Sequence, residues 1–80
     1  MVRVVRRGRF SIYVLPEGGE RHHLPHCHVV WSDGKSVLEL PTFRFLAGQP
    51  LPAAAWDVIR ESKSDIVAAW NLLNPERPIV

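Results

Sequence analysis

The stretch His26-Cys27-His28-Val29-Val30-Trp31-Ser32-Asp33-Gly34-Lys35-Ser36-Val37-Leu38-Glu39-Leu40 decides the fold. Two alternating segments rich in β-branched residues flank an Asp-Gly pair. That dipeptide is favoured in two-residue hairpins because a type I′ turn needs positive φ at both central positions. With Asp33-Gly34 as the turn, Trp31 faces Ser36, Val30 faces Val37, Val29 faces Leu38 and His28 faces Glu39. Side chains alternate across a strand. Cys27, Val29, Trp31, Leu38 and Leu40 then share an apolar face, while His26, His28, Val30, Val37 and Glu39 share the other. A slip of one residue would set His28 opposite Leu38 and destroy that sorting.

Working outward, residues 2–6 and 10–15 read as two further strands of a hairpin around Arg7-Gly8, with Phe10, Ile12 and Val14 on one face and Ser11, Tyr13 and Leu15 on the other. Pro16 to Glu20 is loop by composition and continues through the His-rich stretch to Pro25. Pro41 ends the Glu39 strand, Thr42 to Leu46 form a short edge strand, and Ala47 to Pro50 form a loop. Pro52 suits the first turn of a helix. Trp56, Ile59, Ile66, Trp70 and Leu73 then make one apolar stripe at helical spacing, and Trp56 and Trp70 are expected to cover the sheet. Lys63 interrupts the stripe. Residues 51–74 therefore form either one kinked helix of about 20 residues or two helices with Ser64 capping the second. The expected architecture is α+β: an antiparallel sheet of about four strands within residues 1–46, packed by a C-terminal helix or helix pair.

The chain has 80 residues, which suits one domain with a thin core and leaves no room for a cofactor subdomain. Its 46% hydrophobic and 22% charged content is that of a globular protein, not a disordered tail. One cysteine, Cys27, excludes an internal disulfide and suggests a reducing, cytoplasmic setting. No segment approaches the length of a membrane span, and the apolar run Phe10 to Leu15 is too short for a signal peptide. The net charge of +2 does not announce a nucleic-acid binder, but it is unevenly spread. Residues 1–9 carry Arg3, Arg6, Arg7 and Arg9 and no acid, a basic segment suited to phosphates or to an acidic partner.

The four histidines all fall between positions 22 and 28. His26 and His28 point the same way, their Cβ atoms about 7 Å apart along the strand. Glu39 opposite His28 lies about 5 Å away, Cβ to Cβ. Three chemistries fit. His22, His26, His28 and Glu39 are a ligand set for a divalent metal such as Zn²⁺, and would make the chain a metal-dependent hydrolase. Without a metal, His26, His28 and Glu39 are candidates for catalytic acid–base work, including RNA cleavage in which the 2′-hydroxyl is the nucleophile. The plain alternative is a cross-strand pair on a solvated face of a non-catalytic protein-interaction module. Cys27 faces the other way and is not a fourth ligand.

These residues resemble a family of small bacterial proteins called domain of unknown function 4160. The resemblance rests on Pro25-His26-Cys27-His28-Val29, on the acidic Glu39 ending a strand, and on a helical tail from Pro52 to Trp70. It spans nearly the whole chain. His22 falls where many members carry His, whereas His23 stands where Asn is common and Cys27 where Phe or Val is common. The loop at residues 16–21 differs from the family pattern. Genes of this family often lie beside another small domain, in arrangements like toxin–antitoxin pairs. The resemblance thus implies a small partner protein and an activity directed at RNA or DNA; the short apolar runs add the expectation of no membrane partner. A homodimer is a further expectation, because a small sheet has exposed edges.

Overall fold

A computed structural model describes residues 2–16, 24–76, 78 and 79. Five strands and one helix follow in order: β1 (Val2–Arg7), β2 (Phe10–Val14), β3 (His26–Trp31), β4 (Gly34–Glu39), β5 (Phe45–Gly48) and α1 (Ala53–Leu73). The strands form an antiparallel meander in the order β1-β2-β3-β4-β5, with α1 across one face, nearest β1 and β2. The fold is α+β, as expected. The sheet has five strands rather than about four, and its edge strand begins at Phe45 rather than Thr42 and runs through Ala47 and Gly48, residues expected in a loop.

The apolar sorting of β2, β3 and β4 holds. Phe10, Ile12, Val14, Cys27, Val29, Trp31, Leu38 and Leu40 are all buried beneath the helix, in one cluster with Ile59, Ile66 and Trp70. Ile59, Ile66 and Trp70 of the expected helical stripe are buried, whereas Trp56 and Leu73 lie at its margins and Ala55 and Ser62 complete it. Its centre is Ala55, Ile59, Ser62, Ile66 and Trp70, so buried Ser62 occupies the place where Lys63 had suggested an interruption. Lys63 points outward, its ammonium 5.5 Å from the Phe43 ring centroid. The helix is therefore single and continuous, and Ser64 caps nothing. Trp56 is only half-buried, on the flank of the stripe near β5. No side chain caps the N-terminus of α1, and its end turns carry no charges that complement the helix dipole. Burial of the stripe, not its ends, stabilises it. At the other end Asn74 donates through Nδ2 to the carbonyls of Leu15 (3.1 Å) and Trp70 (3.2 Å), tying the helix terminus to the end of β2.

The hairpin register differs from the expected one by two residues. Trp31 pairs with Gly34, Val29 with Ser36, Cys27 with Leu38 and His26 with Glu39, so the turn residues are Ser32-Asp33, not Asp33-Gly34. Because side chains alternate with period two, a two-residue shift keeps every residue on its face, and the hydrophobic pattern cannot detect it. The turn chemistry had to decide, and Gly34 is glycine for another reason. Among the described residues only Gly8, Phe43 and Gly48 have positive φ, so no type I′ turn forms at Asp33-Gly34. A Cβ on Gly34 would instead lie 2.8 Å from Cδ of Gln49, whose Oε1 accepts the Lys35 N–H at 3.0 Å. Gln49 also donates its N–H to the Lys35 carbonyl at 2.8 Å, and its carbonyl accepts from the Ser36 hydroxyl.

Gly34→Ala should displace only the flexible Gln49 side chain and cost about 1 kcal/mol, the worth of one hydrogen bond. Gly48→Ala should cost about 3 kcal/mol or more, because Gly48 has φ +100° and its new Cβ would collide with the Lys35 carbonyl oxygen. Denaturant melts of both variants check the ranking. A Gln49→Ala background should remove most of the Gly34→Ala penalty and leave the Gly48→Ala penalty in place.

Candidate functional site

One helix covers one face of the sheet, and the other face carries the histidines. Tracing the registers across that face gives two rows of neighbours. Arg3 pairs with Tyr13, Tyr13 with His28 and His28 with Val37. Arg6 pairs with Ser11, Ser11 with Val30 and Val30 with Lys35. The rows lie two residues apart along the strands, about 7 Å.

Arg3 and Arg6 share this face because β1 is irregular. Residues three apart on a regular strand point to opposite sides. Here the register shifts between Arg3 and Val5, making Val4 an extra residue. Val4 and Val5 both pack against the core, and the arginines on either side of them pair with the outward Tyr13 and Ser11. The other two arginines of the basic segment go elsewhere. Arg7 pairs with Phe10 on the covered side and forms an ion pair with Glu61 of α1. Arg9, in the β1–β2 turn, lies 5.0 Å from the Phe10 ring centroid. The sequence-based group Arg3, Arg6, Arg7 and Arg9 is thus divided between the two sides of the sheet.

His26 and His28 are together, as the alternation requires, with ring centroids 5.1 Å apart in an edge-on arrangement. The β2–β3 ladder ends at Tyr13–His28, and beyond it the buried Trp70 reaches the His26 ring, 6.0 Å between centroids. His26 Nδ1 lies 2.8 Å from the Leu24 carbonyl oxygen. A carbonyl only accepts, so Nδ1 carries the hydrogen of this contact.

Glu39 is the principal correction. It stands opposite His26, not His28, and its carboxylate is turned to the β4–β5 connection. Its Oε1 accepts from the Thr42 hydroxyl at 2.9 Å and pairs with Arg44 Nε at 3.2 Å. Its main chain joins the same clasp: the Glu39 N–H donates to the Arg44 carbonyl (2.8 Å), and the Glu39 carbonyl accepts from the Phe43 N–H (2.6 Å). Phe43, at φ +60°, is held there with its ring buried. Strand pairing alone could not reveal this, because the partners come from a turn three to five residues downstream.

Among the described residues no three His, Cys, Asp or Glu side chains converge as a metal-ligand group. His22, the proposed fourth ligand, and His23 lie outside the described residues. Tyr13, Ser11 and Lys35 join the site only through the pairing of β2 with β3 and of β3 with β4. Their outward position was readable from alternation, but their neighbours were not. No protein-family profile, curated protein or solved structure matches the chain.

Cys27 stands apart from the histidines that flank it in sequence. It is fully buried, and burial pushes its thiol pKa up to about 12 from an ordinary value of 9.0. Native Cys27 should therefore resist alkylation at pH 8 and react on unfolding. The raised value also sets a pH window. Above pH 9 the unfolded chain loses the thiol proton while the folded protein keeps it up to about 12. The unfolded state then binds fewer protons, and stability falls by up to about 1.4 kcal/mol per pH unit across that window. Urea melts at pH 8, 9 and 10 should show this loss as the excess of wild type over Cys27→Ala.

Proposed function

We propose that the open face of the sheet binds single-stranded nucleic acid, and that the chain is the nucleic-acid-contacting member of a small cytoplasmic two-protein module of the toxin–antitoxin kind. The observation that carries the binding reading is the row Arg3–Tyr13–His28 beside the row Arg6–Ser11–Val30–Lys35, on the face that α1 leaves uncovered. Arg3, Arg6 and Lys35 supply cations for phosphates, and the Tyr13 and His28 rings supply surfaces on which unpaired bases stack. Glu39, the carboxylate on the same face, is already engaged by Arg44, and Asp33 sits in the β3–β4 turn at its rim. The two-protein part rests on the family resemblance of the Pro25-His26-Cys27-His28-Val29 segment, Glu39 and the helical tail.

A second reading, cleavage of the bound RNA, is favoured by the close approach of His26 and His28. Nε2 of one imidazole would take the 2′-hydroxyl proton, and the other ring, protonated, would give a proton to the departing 5′-oxygen. The oxygen–phosphorus bond to the 2′-oxygen forms as the bond to the 5′-oxygen breaks. Neither step uses Glu39. The metal-dependent reading has no comparable support.

Titration of a fluorescent single-stranded RNA should give binding that weakens with salt. Arg3→Ala and Arg6→Ala should each lower the slope of log K against log salt by roughly 0.7, one phosphate contact apiece. Tyr13→Ala should weaken binding by on the order of tenfold with the slope unchanged. Absence of binding at low salt, or wild-type affinity in both arginine variants, overturns the proposal. If RNA is cut, His26→Ala should abolish cutting with little loss of binding. RNA left intact by the wild type removes the second reading alone.

A further inference from the structure

The sheet has two free edges, and they are built differently. An edge strand presents unpaired N–H and C=O groups that invite another strand. β1 guards its edge with Arg3, Arg6 and Arg7. β5, Phe45-Leu46-Ala47-Gly48, carries no charge, and all four residues are exposed, Phe45 at 46% and Leu46 at 37%. Beside it lies an apolar depression of about 330 Å³ lined by Phe45, Pro50, Leu51 and Trp56. The strand is also fixed in place. The three Gln49 hydrogen bonds to Lys35 and Ser36 hold its end, and Gly48 is packed on the Lys35 carbonyl.

We propose that β5 is the dimerisation edge of this protein, pairing antiparallel with β5 of a second copy across a twofold axis. The charges select that occupant. Arg44 precedes the strand and Gln49 follows it. Antiparallel pairing sets each Arg44 near Gln49 of the other copy and keeps the two arginines at opposite ends, each still held by its own Glu39. Pairing β1 with β1 of a second copy would oppose two sets of arginines. Pairing β1 with β5 would leave an edge free at each end and grow into an open chain. Only the β5–β5 contact closes and removes the uncharged edge. A register shift between Val37 and Leu38 makes Leu46 a bulge residue and shortens the paired run, so apolar contact through Phe45 and Leu46 supplies most of the attraction. The open face that binds nucleic acid in our reading remains exposed on both copies, and the two proposals stand or fall separately.

Sedimentation equilibrium from micromolar to millimolar concentration should show the wild type rising from monomer towards twice the monomer mass. Leu46→Lys, which places two like charges near the axis, should remain monomeric with an unchanged circular dichroism spectrum. Oxidised Leu46→Cys should give a covalent dimer, whereas Arg3→Cys on the opposite edge should not. A wild type that stays monomeric throughout, a Leu46→Lys variant that dimerises like the wild type, or equal cross-linking through Arg3→Cys overturns the proposal.

Discussion

Everything in this fold depends on one stripe of α1 lying over one face of a five-stranded meander. Ile59, Ile66 and Trp70 close over Ile12, Val29 and Leu38, and these side chains form the centre of the core. Ala55 and Ser62, small residues in the same stripe, leave little bulk between helix and strands. A chain of this length has apolar material for a single layer of core. The second face of the sheet is consequently left to water, and polar side chains there are free to serve a ligand at no cost to packing. Fold and candidate site are two sides of one economy of hydrophobic residues.

That division also explains the fate of the charges. The covered side draws Arg7 into an ion pair with Glu61, an exposed contact that contributes little to stability. The open side keeps Arg3, Arg6 and Lys35. The irregularity in β1 makes the difference, because it packs two adjacent half-buried valines against the core and brings the flanking arginines together on the other side. A local departure from strand geometry thus turns a basic segment without direction into a cationic surface with one.

Much of the architecture was legible in alternation and helical spacing. The faces of β2, β3 and β4, the separation of Cys27 from His26 and His28, and a terminal helix over the sheet all follow from counting residues by two or by three and four. Three features did not follow, each for a physical reason. The hairpin register was hidden because a shift of two residues conserves every face, and the glycine that should have chosen between registers serves a close approach by Gln49 instead. The helical stripe keeps Ile59, Ile66 and Trp70 but runs through Ser62 where an interruption at Lys63 was expected, because Ser62, although polar, is small enough to be buried. The carboxylate of Glu39 was assigned to a histidine because strand pairing was the only neighbourhood the sequence offered, whereas Thr42 and Arg44 reach it from a tight turn.

By itself, then, the sequence determined which side of each central strand is dry, that a helix follows the sheet, and that two histidines stand together outside the core. These are properties of periodicity, and periodicity is local. Only the tertiary structure decided which residues are neighbours on the wet face: Tyr13 between Arg3 and His28, Ser11 between Arg6 and Val30, and Glu39 turned towards Arg44. Those adjacencies are set by strand order, by a bulge and by side-chain reach across turns. None of them leaves a period in the chain, because each joins residues that only the folded backbone brings within reach.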